Sequence, residues 1–266
     1  MDPTRYDAFT AALLASLTAD ERVLGVVAAG SMAARGRAPD AWSDHDLWIV
    51  ACPGAQEPLR AWQGWLPDAH RHALVLRETA HGVKVLYDDG HLVEYAVFDP
   101  DELAVARVND YRVLLDRERV AERLADVRAR TEREAAVAHV DVAWHLGQLI
   151  TNVVVGAGRW ARGERLSAHR FVLEHALGHL VTLIVALVPP EDAGAVDDLD
   201  GARRFERARG ALGARVAAAT TRGALAGAEA LLDVAVDALA DRIDGFPHAA
   251  VAAARAVVAR AAAAAS

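Results

Sequence analysis

The chain has 266 residues, enough for one large domain or two modest ones. Its formal net charge is −8, with acids spread along the chain, so general nucleic-acid binding, which needs a basic face, is not expected. A single cysteine, Cys52, excludes an intramolecular disulfide and points to a reducing, cytoplasmic setting.

The first residues, MDPTRYDAFT, are acidic early and carry no basic or apolar leader pattern. The longest apolar run, Leu180–Val188, is too short to span a bilayer, so no membrane partner is expected. Of 29 basic residues only Lys84 is a lysine, and it follows Val83, which rules out the Gly-Lys-Ser/Thr phosphate loop. No histidine precedes a glutamate and no serine sits in Gly-x-Ser-x-Gly, so two common hydrolase signatures are missing.

In chain order, Tyr6–Leu17 has helical spacing (Phe9, Leu13, Leu14, Leu17), and Arg22–Ala29 reads as a buried strand. A helical turn over Ser31–Arg35 and a polar loop over Arg37–Ser43 lead to a second buried strand, Asp46–Cys52, ended by Pro53-Gly54. Glu57–Trp65 reads as a short helix, and His70 and His72 fall in a loop. Gly82–Tyr87 and His91–Phe98 form a hairpin around Asp88-Asp89-Gly90, with Gly90 left-handed in a three-residue turn. That register sets Lys84 opposite Glu94; a two-residue turn separates them.

Near Arg117 helical periodicity takes over, across Arg117–Gly156, Ser167–Val188, Ala202–Ala218, Leu225–Ile243 and the alanine-rich end from Ala249. The expected architecture is α+β: residues 1–116 form a mixed sheet flanked by helices, and residues 117–266 an α-helical bundle.

The chemistry concentrates in GSMAARGRAPDAWSDHDLWIV, Gly30–Val50. Asp44 and Asp46 are two apart at the start of a strand, so both carboxylates face one side. Their repulsion calls for compensation, and Mg²⁺ favours carboxylates together with phosphate oxygens. Gly30 lets the backbone approach a ligand closely, and the N–H groups and the Ser31 hydroxyl suit a phosphate. Isolated, each feature also reads as a cap or a solvated strand end.

This order of strand, Gly-Ser turn, short helix, loop and Ser-Asp-x-Asp-Leu strand resembles the nucleotidyltransferase fold of the DNA polymerase β superfamily. It is most similar to the antibiotic nucleotidyltransferases that adenylylate aminoglycosides and lincosamides and carry a C-terminal helical domain. The motif covers Gly30–Trp48, and element order extends the likeness over the chain. The resemblance implies that Gly30 and Ser31 hold a nucleoside triphosphate, expected to be ATP, and that Asp44 and Asp46 bind Mg²⁺. It calls for a third carboxylate on a later strand, for which Glu94 in HLVEYAVFD is the match, with Asp99 and Asp101 as weaker choices. Glu94 is also the expected base for the acceptor hydroxyl. Lys84 is assigned to the nucleotide, or else to a plain cross-strand ion pair with Glu94.

The implied reaction is Mg²⁺-dependent transfer of a nucleoside monophosphate to a hydroxyl of a small molecule, releasing pyrophosphate. A protein or tRNA acceptor, and a non-catalytic nucleotide-binding module, are the alternatives. The helical domain is expected to contact the acceptor. Asp141, His145, Gln148 and Asn152 form a polar stripe on one helix, with Asp141, His145 and Glu164 as the acceptor candidates. His175 and His179 have metal-ligand spacing without an evident third ligand. Monomer and homodimer remain open.

Overall fold

The computed structural model describes residues 3–33, 39–137 and 139–264. Two compact units, 1–136 and 137–266, each have their own core. In the first, α1 (Pro3–Ala19) precedes β1 (Val23–Ala29), a 3₁₀ turn (Gly30–Ala33) and β2 (His45–Ala51). Then come α2 (Gln56–Ala61), β3 (His72–Arg77), β4 (Gly82–Tyr87), β5 (Leu92–Phe98), β6 (Tyr111–Asp116) and α3 (Val120–Val137). The turn expected over 31–35 is described only to Ala33, and part of the loop expected over 37–43 lies outside the described residues.

The six strands form one mixed sheet in the order β3-β4-β5-β2-β1-β6. Alternation along β2 sends His45, Leu47 and Ile49 to one face and Asp46, Trp48 and Val50 to the other. Tyr6, Phe9, Leu13 and Leu17 recur at helical spacing, and this stripe of α1 packs with Leu47, Ile49, Val85 and Val93 on the first face. Leu13 and Leu17 are fully buried, each contributing about 1.5–3 kcal/mol of transfer free energy. On the second face Val27, Val50 and Phe98 pack with Leu103, Val108 and, from α3, Val120, Leu124 and Val127.

That second layer moves the boundary between the units. The texture of the sequence changes near Arg117, but α3 is a sheet-covering helix, and the units divide after Ala136. The helix expected over 117–156 is two helices, because Asp141 caps a new start. His72, expected in a loop, opens β3, and β6 is an additional strand. Both sit at sheet edges, and β3 buries none of its six residues, so neither shows the apolar run of the central strands.

The second unit consists of α4 (Val142–Ala161), α5 (Arg165–His169), a π-helical segment (Arg170–Ala176) and α6 (Leu177–Leu187). It continues with α7 (Phe205–Thr220), α8 (Ala224–Leu239) and α9 (His248–Ala264). The α4 helix packs against α5, α6, α8 and α9. By length and composition Arg165–Leu187 is apolar enough to cross a bilayer, although its longest unbroken apolar run is short. In this fold its Ala168, Val172, Ala176, Leu180 and Leu183 are fully buried in the helical core.

Leu124 tests the two-layered sheet. Leu124→Ala is expected to lower unfolding free energy by about 2–5 kcal/mol in urea titrations. A loss under about 1 kcal/mol would mean that α3 does not close the second face.

Candidate active site

The Asp88-Asp89-Gly90 turn fixes the register on which the site depends. Gly90 has φ +84°, a conformation costly for side-chain-bearing residues, and its N–H donates to Tyr87 O at 3.0 Å. Tyr87 N–H donates to His91 O at 2.9 Å, closing the expected three-residue loop. Asp89 latches this turn to its surroundings through Arg5 at 2.9 Å and Arg71 at 3.1 Å. Burial opposes the Asp89 charge, but the His91 N–H and the two guanidiniums overcome it and hold the carboxyl down to about 2.

From that turn Lys84 pairs with Glu94 across β4 and β5, and Glu94 pairs with Asp46 across the parallel β5 and β2. Paired residues share a face, so Lys84, Glu94 and Asp46 form one row. The Lys84 ammonium is 2.8 Å from Glu78 and 3.3 Å from Glu94. These carboxylates, Glu78 first, raise the lysine pKa further. Lys84 is thus held by two carboxylates, as in the ion-pair alternative, rather than presented to a phosphate.

The Gly-Ser turn lies beside the same row. Gly30 ends β1 with φ +53°, which opens the 3₁₀ turn. Asp46 N–H reaches back to the Met32 sulfur at 3.2 Å, tying the turn to β2. Ser31 has its backbone in this turn.

Asp44 departs from the expected clamp. It precedes β2, and its carbonyl accepts a 2.8 Å hydrogen bond from Tyr6 Oη on α1. It lines a cavity of about 530 Å³ with Arg5, Trp42, Asp89 and His91, a lining that includes neither Asp46 nor Glu94. Among the described residues, no three His, Cys, Asp or Glu side chains are gathered to hold a metal. Asp46 and Glu94 fit a divalent cation as a pair, by position and by their hard oxygen donors; the third ligand is not in place. Asp99 is engaged elsewhere, accepting from Gln56 and from the N–H groups of Asp101 and Glu102.

His45, between the two aspartates, went unread in the sequence because it points away from them. It is fully buried and stacks on Tyr6 with ring centroids 3.9 Å apart. Thr10 Oγ1 donates to Tyr6 O and so accepts from His45 Nε2–H at 2.8 Å. His45 Nδ1 then accepts from His91 Nε2–H at 2.7 Å. Burial first, and then repulsion from His91, push the His45 pKa down to about 3; burial also lowers that of His91. This neutral pair anchors the start of β2 to α1.

The acceptor candidates lie in the helical unit and have local partners. Asp141 is the N-cap of α4, accepting from Trp144 N–H at 2.9 Å. Glu164 is bound by Arg159 and Arg162, whose guanidiniums, Arg159 first, hold its carboxyl below the usual range. His145 Nδ1 lies 3.0 Å from His179 Nδ1, and Trp144 stands edge-on to both rings. Burial, and then His145, depress the His179 pKa.

No protein-family model matches the chain, and no curated protein matches it. Among solved structures, it is similar to the crystal structure of an aminoglycoside 6-adenyltransferase from Bacillus subtilis. That match spans 93% of this chain and 96% of the other, with 10% identity and a TM-score of 0.33. A likeness of that size assigns neither residues nor reaction.

Asp141 is open to a direct test of its role as a cap. Asp141→Ala is expected to cost about 1 kcal/mol of stability, and Asp141→Asn, which keeps a capping oxygen, to restore most of it. Equal losses in thermal or urea denaturation would refute capping.

Proposed function

We propose that the chain is a nucleotidyltransferase that moves a nucleoside monophosphate from a triphosphate, expected to be ATP, to a hydroxyl of a small molecule. The observation that carries this reading is the row joining Asp46 to Glu94 across β2 and β5, beside the left-handed Gly30 turn. It unites the Gly-Ser and Ser-Asp-x-Asp-Leu motifs with a later-strand acid on one face of a mixed sheet.

In this reading the acceptor hydroxyl oxygen bonds to the α-phosphorus, the bond to the pyrophosphate oxygen breaks, and the hydroxyl proton passes to a carboxylate. Glu94 is the proposed base, and Lys84, bridging Glu94 and Glu78, orients it. Backbone N–H groups of the Gly30-Ser31 turn are proposed to hold phosphate oxygens. Asp46 and Glu94 would hold Mg²⁺ as a pair, and the ion would supply charge neutralisation for the triphosphate. The proposed acceptor class is the aminoglycosides or lincosamides, the acceptors of the family that the chain resembles. A second reading, a module that holds a nucleotide without transferring it, is favoured by the separate cavity that Asp44 lines.

Incubation with Mg²⁺, mixed nucleotides and a panel of hydroxyl-bearing antibiotics, read by mass spectrometry, is expected to give a nucleoside-monophosphate adduct. Asp46→Asn is expected to lower transfer by about a hundredfold or more with the fold intact, and chelation of Mg²⁺ to do the same. Undiminished transfer in Asp46→Asn would overturn the assignment. Nucleotide binding with no adduct on any acceptor would favour the second reading.

A further inference from the structure

The outer edge of the sheet is uncommonly apolar. β3 is the terminal strand, and Leu74, Val75 and Leu76 are 54%, 43% and 48% exposed. Edge strands normally carry charge, proline or cover where they meet solvent, because their unpaired N–H and C=O groups recruit other strands. β3 has no charged residue from Ala73 to Leu76. Its protective features are Arg77 at its end and an irregularity between His72 and Leu74, which leaves a regular edge from Leu74 onward.

The direction of the free backbone groups follows from the ladder. Glu78 N–H donates to Gly82 O at 3.0 Å, so residue 78 is bonded inward to β4. Alternation makes Leu76 and Leu74 inward as well and leaves the N–H and C=O of Val75 and Arg77 pointing outward. An antiparallel strand added at this edge must meet those outward groups with its own.

We propose that this edge pairs with the same edge of a second copy of the chain, antiparallel about a two-fold axis at Val75. There Val75 exchanges both backbone hydrogen bonds with Val75 of the second copy. Leu74 lies opposite Leu76, and the small Ala73 opposite Arg77. His72 lies opposite Glu78, the residue just past the end of β3. Other self-pairings of the outward groups lack this complementarity. An axis at Leu74 sets Arg71 against Arg77, an axis at Leu76 sets Leu74 against Glu78, and an axis at Arg77 sets that residue against itself. A single register thus buries the exposed leucines without opposing like charges, and this self-complementarity identifies the occupant as a second copy.

The proposal does not depend on the reaction, yet it touches the same row. Leu76 pairs with Lys84, Lys84 with Glu94, and Glu94 with Asp46. The paired edges would lie three strand spacings, about 14 Å, from Asp46. The two copies would then share one continuous sheet carrying two sets of acids.

The test is sedimentation of the full chain from low to high micromolar concentration, with two substitutions. The unmodified chain is expected at twice the chain mass, and Val75→Pro, which removes an outward N–H and leaves the inward ladder whole, is expected as a monomer with unchanged circular dichroism. In a Cys52→Ser background, Val75→Cys is expected to form an intermolecular disulfide under mild oxidation, whereas Arg77→Cys is not. A monomer at every concentration, a dimer that survives Val75→Pro, or cross-linking at 77 in preference to 75 would overturn the proposal. If Val75→Pro fails to fold, the two cysteine variants decide the question.

Discussion

The parallel ladder between β2 and β5 is the constraint on which the rest of the candidate site depends. Every other strand pair described in the sheet is antiparallel, so this pair alone brings together strands running the same way from distant parts of the chain. Parallel neighbours need a long crossover, here supplied by α2, β3 and β4. The ladder's register decides whether Asp46 meets Glu94 or an apolar neighbour such as Val93 or Tyr95. A slip of one residue would carry Glu94 into the α1-facing core, where an unpaired carboxylate is costly. Burial of Val93, Tyr95 and Val97 on that face therefore holds Glu94 on the other.

The same alternation divides the labour within Ser43–Trp48. Asp46 carries its charge on the site face, and His45 turns inward to join Thr10, Tyr6 and His91. The anchor and the acid are thus adjacent in sequence and opposite in space. Tyr6 fixes the Asp44 carbonyl as well, which explains why the chain just before β2 follows α1 rather than the acid row.

What the sequence revealed and what it hid divide along physical lines. The hairpin, its Gly90 turn and the Lys84–Glu94 pairing were legible because turn chemistry and two-residue periodicity are local. The helices were legible for the same reason, although Asp141 looked like part of a polar stripe and proved to be the cap that separates two of them. The two edge strands were hidden. Ala73–Leu76 of β3 faces solvent, and β6 buries no residue fully, so neither carries the signature of a core strand. The pairing of β5 with β2 was not legible in local periodicity, because partner selection depends on contacts far apart in the chain, and it was the resemblance that pointed to Glu94. Asp44 shows a further limit: spacing placed it beside Asp46, but only tertiary contacts disclosed the separate cavity it lines.

The solitary lysine has a consequence for how this protein behaves in alkali. All its other basic side chains apart from the histidines are arginines, and guanidinium groups keep their charge at any pH a folded protein survives. Lys84 is the one strong side-chain cation that can be discharged, and Glu78 and Glu94 delay that event. When it happens, the two carboxylates lose the positive charge set between them, and no other ion pair described in the fold loses its cation in that range. Strong base would therefore remove a strong side-chain cation at one locus, the row that runs through Glu94, and leave the arginine pairs elsewhere standing.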